Sequence, residues 1–140
     1  MKKNLFIYAL IALTLTLFSS CEKEEYNTYE NPHWAVTSYE GLSASCTIVM
    51  DLPNNIKPYQ DEDDVVAAFI NGECRGVSTQ QNGLFYIIVS AAADEVANID
   101  LKYYNVSNKY MYQVAEQIPF EINKRIGTTD DPFIPTFIIL

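Results

Sequence analysis

The stretch that decides the fold is residues 64–77, which read DVVAAFINGECRGV. Its first half is apolar and rich in β-branched residues, which favour strands. Asn71-Gly72 is a strong signal for a two-residue hairpin turn between strands. The stretch therefore predicts an antiparallel β-hairpin made of residues 65–70 and 73–78.

Phe69 and Arg75 indicate which face of this hairpin is buried. Across a two-residue turn, Phe69 lies opposite Cys74 on one face of the sheet, and the neighbouring pair lies on the other face. Phe69 belongs in a core and Arg75 does not, so the face with Phe69 is predicted to point inward. The inward set is Val65, Ala67, Phe69, Cys74, Gly76 and Ser78, and the outward set is Val66, Ala68, Ile70, Glu73, Arg75 and Val77.

Similar short alternating runs, separated by turn residues, continue on both sides of the hairpin. No window sustains a helical period, so the sequence predicts one all-β sandwich or barrel of about nine short strands. The run 133–140 contains Pro135, which places it at a sheet edge. The predicted strands are residues 33–39, 44–52, 65–70, 73–78, 84–90, 99–104, 109–115, 118–122 and 133–140.

The hairpin resembles a module found in extracellular proteins of Bacteroidetes. That module shares an Ala-Ala-Phe, a tight turn, a Glu-Cys-Arg-Gly and an aromatic-rich strand, matched here by residues 67–69, 73–76 and 84–89. The resemblance covers residues 34–132 and implies an immunoglobulin-like β-sandwich without catalytic residues. Its further matches are Trp34, Lys102 to Asn105, Tyr110 to Tyr112 and Gly127-Thr128.

The first 25 residues carry a targeting signal. Lys2-Lys3 is a basic start, residues 5–18 are uncharged, and Ser19-Ser20 precede Cys21, as in a secretory signal with a cleavage point. This arrangement resembles a bacterial lipoprotein signal, which implies cleavage before Cys21 and lipidation, with palmitate among the lipids, at Cys21. The alternative is an uncleaved anchor, but the apolar run is shorter than the roughly 20 residues of a spanning helix.

The acidic tract after the lipidation site indicates where the protein is exported. Lys23, Glu24 and Glu25 resemble the surface-export signal of Bacteroidetes lipoproteins. The predicted location is the outer membrane, lipid-anchored and exposed at the cell surface. The organisation that follows is a signal peptide at 1–20, a lipidated Cys and acidic tether at 21–32, and a β-sandwich at 33–140.

Net charge limits the partners. Without residues 1–20 the chain has seven Lys and Arg against 18 Asp and Glu, a net charge of −11. Such a surface repels phosphate backbones, so nucleic acid is not an expected partner. It also repels anionic lipid, so the lipid anchor is the expected membrane contact.

Catalytic chemistry is poorly represented in the sequence. A nucleophile needs a base within hydrogen-bond reach, and His33, the one histidine, lies at the leading edge of the predicted domain. The acidic residues are consecutive and lie in a loop, unlike the separated carboxylates of a glycosidase. We expect neither enzymatic activity nor a cofactor.

The loop at 57–64 offers a weak metal site and one aromatic side chain. Asp61, Asp63 and Asp64 carry hard oxygen ligands of the kind that calcium prefers, but without the spacing of an EF-hand. The alternative is a solvated acidic loop. Tyr59 beside it is a candidate for stacking on a ligand, or else a partly buried loop residue.

Two cysteines remain besides Cys21. Cys46 and Cys74 are both predicted to point inward, and the compartment beyond the inner membrane permits disulfides. Alternation does not give the distance between them, and a bridge needs Cα atoms within about 7 Å. The sequence is therefore compatible with two alternatives, a Cys46–Cys74 disulfide or two buried free thiols.

Three further side chains are candidates for ligand binding. Arg75 either pairs with a neighbouring acid such as Glu73 or grips a carboxylate of a partner. Tyr86 and Tyr104 are predicted to point outward, because Phe85 and Tyr103 beside them are assigned to the core. An exposed tyrosine pair can bind a sugar ring or a protein; the alternative is rings that lie flat on the sheet.

The sequence supports two functional hypotheses. The first is a surface-exposed lipoprotein with a non-catalytic binding module for an extracellular glycan or protein. The second is a structural subunit of an outer-membrane or cell-surface assembly that pairs edge strands with its neighbours, suggested by the apolar run at 133–140.

Overall fold

Ten strands form the regular structure of residues 24–140, the part of the chain that the computed structural model describes. The predictions for the signal peptide, Cys21 and Lys23 lie outside these residues. One 3-10 turn, Lys57–Tyr59, accompanies the strands. The strands are β1 Ala44–Met50, β2 Val65–Ile70, β3 Glu73–Val77, β4 Thr79–Gln81, β5 Leu84–Ala91, β6 Asn98–Asn105, β7 Tyr110–Val114, β8 Ile118–Pro119, β9 Arg125–Ile126 and β10 Phe137–Ile139.

The strands form two packed sheets. Sheet A has the order β4-β5-β1-β9, and sheet B has the order β10-β7-β6-β2-β3, with β8 paired to β6. Their facing side chains form one core cluster that draws on both sheets. The prediction of an all-β sandwich is confirmed, and its architecture is consistent with an immunoglobulin-like arrangement.

Strand alternation places most of the core as the sequence predicts. Phe85, Ile87 and Val89 of β5 are fully buried, as is Tyr103 of β6. Cys46 also points into the core from β1. Each of these strands has one face on the core, so the alternation of side chains along the strand correctly predicts which of them point inward.

The predicted faces of the hairpin are reversed in β2. Val66, Ala68 and Ile70 belong to the core cluster, whereas Phe69 lies on the outer face of sheet B. Ala68 pairs with Gly76 while Phe69 pairs with Cys74, so Arg75 is the extra residue of a β-bulge. The bulge changes the alternation within β3, and the assumption that a phenylalanine must face the core was wrong.

Phe69 is sheltered on the outer face by residues from elsewhere in the chain. The indole of Trp34 contacts its ring edge-on, with centroids 5.7 Å apart. The ammonium of Lys102 lies 5.5 Å from the centroid of the same ring. A sheet face that is covered in this way accepts an aromatic side chain without being part of the main core.

The N-terminal segment, residues 24–37, differs from the predicted tether and first strand. It forms no strand, but it lies against the outer face of sheet B. Tyr29 donates its backbone N–H to the carbonyl of Lys109 at 2.9 Å. Aromatic side chains at Tyr29 and Trp34 give this polar segment apolar surface to bury, which the charge pattern alone did not indicate.

The prediction missed two short strands, β4 and β9, but placed the last strand correctly at a sheet edge. β4 lies between the predicted strands 73–78 and 84–90, and β9 lies between the predicted strands 118–122 and 133–140, where no strand was predicted. β10 is the edge strand of sheet B, as Pro135 predicted, although it begins only at Phe137. Residues 133–136 before it form no ladder beyond a single bridge from Phe133 to Met50.

Candidate functional site

Tyr86 and Tyr104 do not form a pair. Tyr86 lies half-buried on the outer face of sheet A, with its hydroxyl 3.3 Å from Oγ1 of Thr129. Tyr104 lies on the outer face of sheet B and is only 2% exposed. Both point away from the core as predicted, but the sheets are opposite and the N-terminal segment covers Tyr104.

The groove beside Tyr86 is a polar depression of about 430 Å³. Arg125 and Thr47 lie on neighbouring strands in register with each other, and the 128–130 loop closes one side. Three of its seven lining residues are threonines, two are charged, and Tyr86 is its one aromatic ring. It offers little apolar surface to a ligand.

Arg75 is held by acids of its own chain. Its guanidinium donates to both carboxylate oxygens of Glu95, at 3.0 and 3.4 Å, and to Glu73 at 3.1 Å. Burial opposes the charge of Arg75, but the bonds to Glu95 and then Glu73 raise its pKa above the ordinary value. The sequence anticipated Glu73 and missed Glu95, which reaches Arg75 from the loop after β5.

Asp64 is a structural residue. It is 5% exposed, and its carboxylate accepts hydrogen bonds from the Tyr103 hydroxyl at 2.6 Å and the Asn105 amide at 3.0 Å. The backbone N–H groups of Asp61 and Val106 donate to it at 2.8 Å each. Burial, followed by the Asp64 carboxylate, raises the pKa of Tyr103, so that hydroxyl remains a donor.

The weak metal site at Asp61, Asp63 and Asp64 is therefore not formed. Asp64 turns inward to its four donors, and Asp61 accepts from the Asp63 backbone and from Ser107. Among residues 24–140, no group of three or more His, Cys, Asp or Glu side chains is arranged to hold a metal ion. The sequence treated the acidic run as one cluster, whereas the turn separates its carboxylates.

Cys46 and Cys74 are free thiols on different sheets. Cys46 points into the core from β1, and burial raises its pKa to about 11. Cys74 points outward because it pairs with Phe69, and β2 turns Phe69 to the outer face of sheet B instead of to the core. Burial also raises the pKa of Cys74.

A concavity with several aromatic side chains, which we call the tyrosine groove, lies at the β7–β10 end of the sandwich. It has a volume of about 550 Å³. Four segments of the chain supply its walls. Its lining residues are Tyr26, Asn55, Ile56, Tyr59, Asn108, Tyr110, Tyr112, Phe137 and Ile139.

The loop that carries Tyr59 is fixed at both ends of its 3-10 turn. Ile56 is 8% exposed and belongs to the core cluster. The carbonyl of Tyr59 accepts a hydrogen bond of 2.7 Å from the buried amide of Asn105. The ring of Tyr59 nevertheless remains 64% exposed at the rim of the groove. A rigid backbone thus presents an open aromatic face.

The opposite wall comes from β7 and the N-terminal segment. Tyr110 and Tyr112 share one face of β7, and the rings of Tyr26 and Tyr110 meet edge-on at 5.6 Å. Tyr112 stacks on Tyr103 of the core, with centroids 5.5 Å apart. Burial raises the pKa of Tyr112, which keeps its hydroxyl protonated as a donor. The stacking on Tyr103 therefore fixes the Tyr112 ring, and the tyrosine hydroxyls give the wall polar groups.

Comparisons with known proteins supply no further assignment. No protein-family model, curated protein or solved structure matches the chain. Among residues 24–140 there is also no helix with the length and hydropathy to cross a membrane.

The tyrosine groove is the arrangement best suited to bind a ligand. Aromatic faces stack on sugar rings or apolar side chains, while phenol and amide groups fix orientation by hydrogen bonds. Sequence reasoning found Tyr59 and missed Tyr26, Tyr110, Tyr112 and Phe137. The alternation of Tyr110 and Tyr112 was a usable signal, since it places both rings on one face.

Proposed function

We propose that the chain is a lipid-anchored, surface-exposed lipoprotein of the bacterial outer membrane. In this proposal its β-sandwich is a non-catalytic binding module, and the tyrosine groove is its ligand site. The groove itself carries the proposal, because it combines several tyrosine side chains with an uncharged lining in an otherwise acidic domain.

The groove is supported as a site by its preorganisation. A hydrogen bond from Asn105 holds the backbone of Tyr59, and the Tyr112 ring stacks on Tyr103, so the loop and this ring lose little freedom on binding. Exposed tyrosines of this kind supply large rigid contact areas and serve as anchors in interfaces. The polar groove at Tyr86 and the depression lined by Arg75 both have less apolar surface.

The non-catalytic character is supported by the position of the candidate groups. His33 is exposed on the N-terminal segment, away from the lining of the groove. Asp64 is engaged by four donors, and Glu95 by Arg75 and the backbone of Ala92. Both carboxylates are occupied by bonds that hold the fold together.

The anchor supports a membrane-proximal site. Tyr26 is five residues after Cys21 in the sequence. A fully extended chain spans about 3.5 Å per residue, so Tyr26 lies within roughly 18 Å of a lipidated Cys21. A ligand in the groove is therefore a component of the cell surface or one that is brought to it.

The binding proposal is tested with a matched pair of tyrosine variants. Tyr59→Ala removes a ring that is 64% exposed in the groove, and Tyr39→Ala removes one that is 65% exposed outside it. Both variants and the wild type are tested on a glycan array and in pull-downs from outer membranes. We expect Tyr59→Ala to lose at least about tenfold in affinity, as for truncation of an anchor residue, and Tyr39→Ala to bind normally. Equal binding by all three proteins would refute the groove as the site.

The location proposal is tested independently by metabolic labelling. Wild-type protein should incorporate labelled palmitate, and Cys21→Ala should not. Replacing Lys23, Glu24 and Glu25 by alanine should lower exposure to external protease without blocking lipidation. Absence of label in the wild type would contradict the anchor, and unchanged exposure would contradict the export signal.

A further inference from the structure

The four edges of the two sheets differ in how they are protected from pairing with other chains. β3 has a bulge and the charged residues Glu73 and Arg75; β4 has only three residues, all polar; β9 has two, one of them Arg125. Short length, charge and bulges are the usual means of preventing edge-to-edge association. β10 is also short, but it has neither charge nor bulge. Its sequence is Phe-Ile-Ile, with Ile138 54% exposed and the following Leu140 38% exposed.

The hydrogen bonds of β10 show which of its backbone groups are free. Leu140 donates to Met111, and Thr136 accepts from Ala115, both at 2.9 Å. In an antiparallel ladder the bonded residues alternate with residues whose N–H and C=O point the other way. Phe137 and Ile139 are therefore the residues that face away from β7, and no strand among residues 24–140 pairs with them there.

The side chains of the same two residues line the tyrosine groove. A second depression of about 220 Å³ continues the groove along β10, past Pro53 and Pro135. A strand added beside β10 would direct every second side chain toward this continuous concavity, because side chains alternate along a strand. The edge supplies backbone bonds and the groove supplies side-chain pockets, the two parts of recognition by strand addition.

Charge at the ends of the groove indicates the composition of the added strand. The residues lining both depressions are uncharged. Glu24 accepts from the hydroxyl of Tyr26 at one end, and Glu116 accepts from the backbone of Thr136 at the other. Basic side chains at both ends of an apolar segment complement this arrangement.

A second copy of this chain is a poor occupant of the site. β10 has only three residues, so a ribbon of two such strands buries far less than the roughly 1,200 Å² of a stable interface. Two copies would also bring together chains that each have a net charge of −11 without residues 1–20. A longer strand from a different protein, with side chains that enter the groove, can bury more area and need not be acidic.

We propose that an extended segment of a partner protein, apolar in its centre and basic at its ends, adds to β10 as a further strand of sheet B. The backbone groups of Phe137 and Ile139 pair with it, and alternate side chains of the segment enter the tyrosine groove. This inference rests on the proposed function, because it uses the same groove.

The test uses a synthetic peptide, Lys-Lys-Val-Thr-Tyr-Thr-Val-Lys-Lys, and the membrane-extracted protein in detergent micelles. NMR hydrogen exchange reports on each amide of β10. At saturating peptide, the N–H groups of Phe137 and Ile139 should exchange at least about tenfold more slowly, as new ladder bonds require. The amide of Leu140, already bonded to Met111, is the internal control and should change little.

Two variants separate backbone pairing from side-chain contact. Ile139→Pro removes an N–H that points away from β7 and should weaken binding about tenfold, whereas Ile138→Thr on the other face should bind normally. A peptide with N-methyl groups on alternate residues along the pairing edge keeps its side chains but cannot donate those hydrogen bonds. It should bind the wild-type protein about tenfold more weakly than the unmethylated peptide does. This second comparison holds even if Ile139→Pro fails to fold.

The outcomes distinguish this inference from the proposed function. Binding that leaves Phe137 and Ile139 unprotected, or that tolerates N-methylation, would overturn strand addition. So would failure of the peptide to bind a protein whose groove still binds glycans in a Tyr59-dependent manner. If Tyr59→Ala has no effect on any ligand, the proposed function fails and this inference fails with it.

Discussion

The hydroxyl of Tyr104 donates a 2.8 Å hydrogen bond to the backbone carbonyl of Tyr29, 75 residues earlier in the chain. This bond joins the N-terminal segment to the outer face of sheet B. It explains why Tyr104, which points away from the core, is nevertheless buried. The segment that follows the proposed anchor is therefore a part of the folded domain.

Removing this bond should loosen the N-terminal segment. We expect Tyr104→Phe to destabilise the protein by about 1 kcal/mol, the usual value of a hydrogen bond that is partly buried. Backbone amides near Tyr29 should exchange faster, whereas those of β5 should not. Tyr86→Phe is the control, since the bond of Tyr86 to Thr129 is longer and exposed. Equal exchange in both variants would contradict the role of Tyr104.

Asp64 should be the most sensitive acidic residue for stability. Asp64→Asn replaces one acceptor oxygen by an amide group that faces donors, so buried N–H and O–H groups lose their partner. We expect a loss of about 3 kcal/mol in urea denaturation. Asp63→Asn, at an exposed position in the same loop, should change stability by less than about 0.5 kcal/mol. A similar small effect at both positions would show that Asp64 is not a structural residue.

The pair of Glu95 and Arg75 should make part of the stability depend on pH. The backbone N–H of Ala92 and then Arg75 lower the pKa of Glu95 below its ordinary 4.5, against the effect of burial. A lowered pKa in the folded state means that its contribution is complete above pH 4.5 and is lost as pH falls through the folded value.

This dependence can be measured with Glu95→Gln. At pH 7 the variant should be less stable than the wild type by about 1–2 kcal/mol, from lost charge-assisted hydrogen bonds. The difference in unfolding free energy between the two proteins should shrink as pH falls below 4.5. A difference that stays constant between pH 7 and pH 3 would contradict the assignment. Glu62→Gln, at an exposed loop position, serves as the control.

The two thiols should differ in reactivity. Cys74 is half-buried at the surface of sheet B, whereas Cys46 is 2% exposed with a pKa of about 11. In the folded protein Cys74 should be alkylated at least about tenfold faster than Cys46, since the thiolate is the reactive form. Without reductant, the unfolded chain should be alkylated at both residues. No modification of either residue after unfolding would indicate a disulfide, contrary to the structure.

The sandwich and the core faces of β5 and β6 could be predicted because each strand there has one face on the core. The hairpin faces could not be predicted, for two physical reasons. The bulge at Arg75 changes the alternation locally, and the shelter that Trp34 gives to Phe69 comes from 35 residues away. Strand periodicity contains neither kind of information.

The tyrosine groove was predicted only in part. Tyr59 stood out as a loop aromatic, and the apolar run at 133–140 was placed at an edge. Their proximity depends on Ile56, which fixes the loop in the core, and on the pairing of β10 with β7. Tyr26 was missed because a charged segment was read as a tether, although its ring contacts Tyr110.

The most direct test of the tyrosine groove as the binding site is site-specific photocrosslinking on living cells. Tyr59 or Tyr39 is replaced by the photoreactive p-benzoylphenylalanine, at positions that are 64% and 65% exposed respectively. We expect a discrete light-dependent adduct from position 59 and none from position 39, since only position 59 lines the groove. No adduct at position 59, or equal adducts at both positions, would contradict the assignment of the tyrosine groove.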